Sequence, residues 1–111
     1  VLAQAAKSRF KELGYGEIEV LVGDGSLGWS EGAPYDGIIV TASGPTIPTP
    51  LLEQLKVGGR LVIPVARGAA MQELVRITKR PNGRYRRQEL GQVAFVPLIG
   101  EEGWSEGGRW V

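Results

Sequence analysis

Two residue types are missing from this sequence. Its 111 residues include neither cysteine nor histidine. The absence of cysteine excludes disulfides and thiolate metal sites, and it is typical of a reducing compartment, so we predict a cytoplasmic protein. The absence of histidine removes the most common general base, the most common metal ligand and every Ser-His-Asp arrangement. We therefore predict no metal site, and any catalysis must rest on carboxylates, hydroxyls, lysine or the positioning of substrates.

Excess charge and long apolar runs are missing as well. Thirteen basic residues stand against twelve acidic ones, which gives a net charge of +1. A chain so nearly neutral has no global field that would attract nucleic acid or a membrane surface. No stretch approaches the roughly 20 apolar residues of a membrane span, and no signal peptide is visible. The length, with 42% hydrophobic residues, predicts one small globular domain.

The chain opens with a helical pattern. Leu2, Ala6, Phe10 and Leu13 recur at helical spacing, and Gly14 follows as a stop signal. No capping residue precedes this stripe, so we expect the sequence to open inside a helix that has already begun. A short frayed helix is the alternative.

Three strand-like runs and a second helix come next. Residues 18–22, 35–40 and 60–65 are rich in valine, isoleucine and leucine, as strands covered on both faces are. Thr49, followed by a proline, is the expected N-cap of the helix, and the glycine pair at 58–59 is its expected end.

The last third of the chain has a different pattern. Asn82-Gly83 separates the strand-like runs 73–79 and 84–90, which is a strong hairpin signal. Residues 93–98 form a final apolar run that predicts one more strand. Alternating elements with an antiparallel finish predict an α/β fold, with a mostly parallel sheet and an antiparallel edge hairpin.

Ligands of such sheets bind beyond the carboxyl ends of the strands, which makes residues 23–28 a candidate site. Their sequence, GDGSLG, matches the G-x-G-x-x-G pattern of dinucleotide-binding loops. That pattern must also open a helix, and Gly32 and Pro34 make a long helix improbable. A glycine-rich turn without a ligand is the plain alternative. We favour a third interpretation, in which the Asp24 carboxylate accepts a hydrogen bond from an exocyclic amine and its glycine neighbours admit a flat ring.

Basic residues crowd the hairpin turn and invite a nucleic-acid hypothesis. Only Tyr85 supplies an aromatic ring among them, and stacking surfaces need several. We therefore predict a solvated edge hairpin that does not bind nucleic acid. The cluster consists of Lys79, Arg80, Arg84, Arg86 and Arg87.

A series of short motifs follows a fixed order along the chain. The motifs are GDG at 23–25, GW at 28–29, APYDGIIVTA at 33–42, IP at 47–48, LLEQL at 51–55, GGRLVIPV at 58–65, VAFVPL at 93–98 and GW at 103–104. Together they resemble the protein-L-isoaspartate O-methyltransferase family, and the resemblance covers nearly the whole chain. The resemblance implies a Rossmann-like fold and an enzyme that uses S-adenosylmethionine (SAM) to methylate isoaspartyl carboxylates in protein repair.

The resemblance also implies site residues. Asp24 and Gly25 match the family's adenine-contacting pair, while Thr41 and Ala42 match the strand end that faces the methyl-donor pocket. Residues 93–98 would help to line the site for the isoaspartyl protein or peptide. No catalytic side chain is expected, because the acceptor carboxylate is already a nucleophile at neutral pH and positioning carries most of the catalysis.

Three family features have no match in this sequence: an upstream glycine-rich loop, an acidic residue for the ribose and a serine near the acceptor. Residues 1–111 are therefore expected to be the C-terminal portion of a single methyltransferase domain, inactive in isolation. Two family strands would lie between residues 18–22 and 35–40, and without them a gap of about 10 Å is expected. Exposed edges of this kind invite pairing with another chain, and a homo-oligomer through them is one expected outcome. The others are closure of the gap, an unstable domain or a longer protein, and we favour the longer protein. The alternative is a non-catalytic remnant or an oligomerising half-domain.

Overall fold

The computed structural model of the chain describes residues 2–68 and 71–105. The helices and strands in these ranges are α1 Leu2–Glu12, β1 Tyr35–Ile39, α2 Thr49–Glu53, β2 Leu55–Ala66, β3 Gln72–Lys79 and β4 Tyr85–Val93. The strands form one sheet in the order β1-β2-β3-β4. β1 and β2 are parallel, while the β2–β3 and β3–β4 pairs are antiparallel. The predicted α/β class is confirmed, although the antiparallel part of this sheet is larger than expected.

The core lies on one face of the two central strands. Leu61 pairs with Ile77, and Ile63 pairs with Val75, so all four side chains point to the same side. Each is at most 4% exposed. Leu51 of α2 is buried in the same cluster. The short helix therefore covers this face of the sheet.

The predicted hairpin is confirmed. β3 and β4 pair along their length, and the turn between them contains Gly83 at φ 77°, a conformation that favours glycine. β4 is an edge strand with charged side chains, and Glu89 forms ion pairs with Arg67 and, at 3.9 Å, with Arg87. Charges of this kind oppose edge-to-edge pairing of strands.

The predicted strand at residues 18–22 is wrong for the described structure, where this segment joins no sheet. Leu21 is 54% exposed and Val22 is 69% exposed. The physical reason is that a strand needs a hydrogen-bonded neighbour, and within the described ranges no strand lies beside it. The α1 helix is confirmed, yet Leu13 of its apolar stripe is 63% exposed.

The expected boundaries of α2 also change. Pro48 rather than Thr49 is the N-cap, and the helix ends at Glu53, well before the glycine pair. Gly58 and Gly59 lie inside β2, where the register with β1 shifts. The glycines thus form an irregularity within a strand instead of a helix stop. Neither helix in the described ranges is long and apolar enough to cross a membrane.

The final predicted strand is wrong beyond Val93, where β4 ends. Residues 94–105, which we name the C-terminal strap, make only isolated bridges. The strap first meets Gln72, whose side chain bonds to both backbone groups of Phe95. It then pairs with Ser43 through Pro97. Because it crosses the end of the sheet instead of following a strand, its backbone has no continuous ladder to join.

Candidate functional site

A cavity of about 590 Å³ opens beside β1 at its carboxyl end. Residues 21–25 line it on one side, and residues 37–42, which include the free edge of β1, line it on the other. All four residues predicted from the sequence contribute to the lining, so the structure brings them to one place. They are Asp24, Gly25, Thr41 and Ala42.

The glycine-rich loop forms a tight turn in place of a long helix. Asp24 has extended backbone angles and caps a 3-10 turn at Gly25–Leu27, accepting a hydrogen bond from the Ser26 amide. Gly28, at φ 66°, ends this turn, and a second 3-10 turn at Ser30–Gly32 follows. A dinucleotide loop needs several aligned helical N–H groups, which this geometry does not provide. Rejecting the dinucleotide interpretation is therefore supported.

The Asp24 carboxylate is held by three donors. Its Oδ1 accepts from Ser26 N at 2.9 Å and from Ser26 Oγ at 2.6 Å, while its Oδ2 accepts from Glu101 N at 2.8 Å. The Glu101 amide, followed by the Ser26 hydroxyl, lowers the pKa of Asp24 below the ordinary 3.8. A carboxylate oxygen can accept two hydrogen bonds, so Oδ2 keeps one acceptor position. The group is ionised and able to receive one further donor.

Two residues that the sequence interpretation missed hold the loop against the sheet. The buried Gln54 donates from Nε2 to Leu27 O at 2.9 Å and accepts from Trp29 N at 3.0 Å. The Tyr35 hydroxyl donates to Trp29 O at 2.6 Å. Gln54 lies three positions after the buried Leu51, on the core side of α2. That spacing was the available signal, because a polar residue on an apolar face needs buried partners.

The strap borders the cavity near Thr41 and Ala42, the residues expected to face the methyl donor. Ser43 follows Thr41 and Ala42 directly, and its backbone bonds to the strap on both sides of Pro97: Ser43 N donates to Val96 O at 2.6 Å, and Leu98 N donates to Ser43 O at 2.8 Å. Leu98 lines the cavity. The strap therefore reaches the same site as the two loops.

The cavity is open toward the free edge of β1. Ile39 on that edge is 77% exposed, and the facing residues Leu21 and Val22 are also exposed. The expected unpaired edge is thus seen at β1 within the described residues, whereas residues 18–22, which were expected to form the other edge, are not a strand.

A family model supplies the decisive comparison. The model of protein-L-isoaspartate (D-aspartate) O-methyltransferases matches residues 1–103. The chain belongs to this family. The resemblance carried by the short motifs is thereby confirmed, and the Rossmann-like methyltransferase fold class with it.

Three curated relatives are named protein-L-isoaspartate O-methyltransferases. The Pelobacter propionicus protein-L-isoaspartate O-methyltransferase 2 is 54% identical over 103 residues, which cover 93% of this chain and 46% of that protein. The Protochlamydia amoebophila enzyme is 55% identical, with 94% and 50% covered. The Methanococcus aeolicus enzyme is 54% identical, with 93% and 46% covered. The chain spans about half the length of these curated relatives.

Solved structures of methyltransferases agree with the fold. One protein-L-isoaspartate O-methyltransferase superposes with a TM-score of 0.82 at 27% identity, covering 91% of this chain and 32% of the other. A Plasmodium falciparum member, in complex with S-adenosyl-L-homocysteine, superposes with a TM-score of 0.75 at 25% identity, covering 88% and 48%.

Proposed function

We propose that residues 1–111 are the C-terminal portion of a single methyltransferase domain. That domain transfers a methyl group from SAM to the side-chain carboxylate of isoaspartyl residues, as a cytoplasmic protein-repair reaction. The observation that carries the proposal is the convergence of Asp24, Gly25, Thr41 and Ala42 on one cavity, in a chain of this family. The relatives compared above are all named methyltransferases, which favours the enzyme over a non-catalytic remnant.

The adenine end of the cofactor fits the loop at Asp24. The free acceptor position on Asp24 Oδ2 suits an exocyclic amine, which can only donate. Added Cβ atoms at Gly23 and Gly25 would meet nothing within 4 Å, so a flat ring has room beside the backbone. These features support cofactor-binding roles for Asp24 and Gly25.

The other end of the cavity suits methyl transfer by positioning. SAM supplies an electrophilic methyl group when bound, and the isoaspartyl carboxylate needs no base to attack it. The protein's task is then to align acceptor and donor and to exclude water. Thr41 and Ala42 follow the end of β1 and line the cavity with small side chains, and Leu98 adds an apolar wall from the strap. Isoaspartyl proteins or peptides are the proposed partners; nucleic acid and membranes are not.

The described residues supply only part of a cofactor site. Asp24 is the only acidic residue among those that line the cavity, so a second carboxylate for the ribose hydroxyls is missing from this lining. We therefore propose that the 111-residue chain by itself binds SAM weakly or not at all, does not methylate, and self-associates through the free edge of β1. Calorimetric titration tests the first point, and micromolar binding would contradict it.

The function itself is best tested on the native polypeptide from its source. Its intact mass decides whether further residues accompany these 111, and an isoaspartyl peptide then reports methyl transfer. Absence of transfer by a longer native protein would contradict the proposal.

Asp24→Asn tests the proposed hydrogen bond between the Asp24 carboxylate and the exocyclic amine of the cofactor's adenine. The change replaces one acceptor oxygen with a donor, so in the longer native polypeptide the binding of S-adenosylhomocysteine should weaken about tenfold or more. The analogue with an oxo group in place of the amine should lose less. Asp36→Asn is the matched control, because the Asp36 carboxylate is 90% exposed and pairs with Lys56 at 3.5 Å. Equal affinities for both variants would refute the role of Asp24.

A further inference from the structure

Two hydrogen bonds tie the C-terminal strap to the loop at residues 24–28. Glu101 N donates to Asp24 Oδ2 at 2.8 Å, and Glu102 N donates to Ser26 Oγ at 3.1 Å. The partners are separated by 77 and 76 positions in the sequence. These bonds therefore fix the relative placement of two distant segments that both reach the cavity.

Ser26 is at the centre of this connection. It is fully buried, and its hydroxyl acts in both directions: it donates to Asp24 Oδ1 at 2.6 Å and accepts from Glu102 N. Its own amide also donates to Asp24 Oδ1. A buried hydroxyl with one donated and one accepted bond orients both of its partners at once, and both bonds are lost when it is removed.

The strap can approach so closely because a glycine faces this serine. A Cβ added at Gly100 would lie 2.5 Å from Ser26 Oγ and 2.8 Å from Asp24 Cγ. Such separations are too short for non-bonded atoms, so the strap packs directly against the serine and the carboxylate. The contact is thus shaped on both sides, by a hydroxyl in the loop and by a missing side chain in the strap.

We infer that Ser26 is a positioning residue that locks the Asp24 carboxylate and the C-terminal strap into one fixed arrangement. The lock directs the remaining acceptor position of Asp24 Oδ2, and it holds the strap that carries Leu98 into the cavity. The role of this arrangement in helping Asp24 to accept a hydrogen bond from the adenine amine rests on the proposed function. The lock itself is a property of the ligand-free chain.

The test uses Ser26→Ala in the ligand-free protein, with two readouts by NMR. Amide hydrogen exchange at Glu101 and Glu102 should become about tenfold faster or more. Glu102 N loses its acceptor, and the half-buried Asp24 carboxylate, which accepts from Glu101 N, loses the bond that orients it. The pKa of Asp24, titrated through its own carboxyl carbon, should rise toward the ordinary value. The neighbouring titratable groups, the side chains of Glu101 and Glu102, are followed separately through their own carbons.

Two further variants make the result specific. Ser26→Thr keeps the hydroxyl and should restore both readouts toward those of the unmodified chain. Ser43→Ala is the matched control: Ser43 is also buried beside the strap, yet its hydroxyl has no hydrogen-bond partner within the described structure. Its backbone bonds to the strap survive the change, so exchange at Glu101 and Glu102 should stay the same.

Two outcomes would overturn the inference. One is unchanged exchange and an unchanged Asp24 pKa in Ser26→Ala. The other is an equal rise in exchange at Ile63 and Val75 in the core, which would show general loosening instead of a local lock. Neither readout involves a ligand. A native polypeptide that fails to bind S-adenosylhomocysteine would contradict the proposed function and leave the measured lock intact.

Discussion

Replacing Gln54 with alanine should detach the glycine-rich loop from α2. The side-chain amide makes two bonds to the loop, to Leu27 O at 2.9 Å and from Trp29 N at 3.0 Å, and it is only 9% exposed. Each such bond contributes about 1 kcal/mol net, and the loop groups left without a partner add a desolvation cost. We therefore expect the free energy of unfolding to fall by about 2–3 kcal/mol.

Urea denaturation followed by tryptophan fluorescence measures this change, and Trp29 lies in the loop concerned. Glu53→Ala is the matched control, because Glu53 precedes Gln54 on the same helix and is exposed. Its effect should stay within about 0.5 kcal/mol. If Gln54→Ala costs no more than this control, the amide does not hold the loop and the account of its role is refuted.

Gln54→Glu separates the two bonds of the amide by pH. The introduced carboxylate can still accept from Trp29 N, but once ionised it cannot donate to Leu27 O. Burial and the facing carbonyl oxygen raise its folded pKa above the unfolded value. A raised pKa contributes stability below the unfolded pKa that is lost as pH rises through the folded pKa. The variant should therefore be more stable near pH 4 than near pH 7, relative to the unmodified chain. A flat difference across this range would refute the assigned donor role.

Two further predictions concern the same loop. Gly28→Ala should lower the free energy of unfolding by about 2 kcal/mol or more, because Gly28 lies at φ 66° and its new Cβ would lie 2.9 Å from a Leu51 methyl carbon. Thermal unfolding measures this loss. Gly23→Ala is the control and should change the stability little, because its new Cβ meets nothing within 4 Å. Acidification should loosen the strap: the folded pKa of Asp24 lies below 3.8, so its contribution is present above that value and is lost as pH falls through the lower folded one. Exchange at Glu101, corrected for the intrinsic rate, should then rise below about pH 4. No rise at that position would contradict the assigned acceptor.

Local signals predicted the parts of the fold that local chemistry determines. Asn82-Gly83 fixed the hairpin, because few residue pairs suit its turn, and Gly14, at φ 87°, follows the first helix as expected. The segment at residues 18–22 failed for a reason outside its own composition. Its apolar residues are those of a strand, but a strand also requires a neighbour, and the described chain offers none on that side.

The site was predictable to the extent that it follows from topology. Ligands bind beyond the carboxyl ends of parallel strands, and Thr41 follows the parallel strand β1, so its place in the cavity could be expected. Asp24 lines the same cavity although the strand predicted before it does not form. The residues that hold the site in place, Ser26 and Gln54, act through contacts that are distant in the sequence. Ser26 bonds to a residue 76 positions away, and Gln54 bonds to residues 25 and 27 positions away. No periodicity or motif encodes such pairs, because each partner is an ordinary backbone group.

In the described structure two neighbouring parts of the chain, residues 18–22 and the outer edge of β1, have no strand beside them. Strands placed between the two would pair with both. Residues 18–22 expose Leu21 and Val22 on one side of the cavity, and on the other side no strand of the described ranges pairs with the outer edge of β1. A polypeptide that supplied strands between them would satisfy both edges, and it would convert residues 18–22 into the strand their composition predicts. Only Gly23 separates that segment from Asp24, so the same strand formation would fix the adenine end of the proposed site. Filling the gap and binding the cofactor should therefore reinforce each other, since each favours the same ordered arrangement.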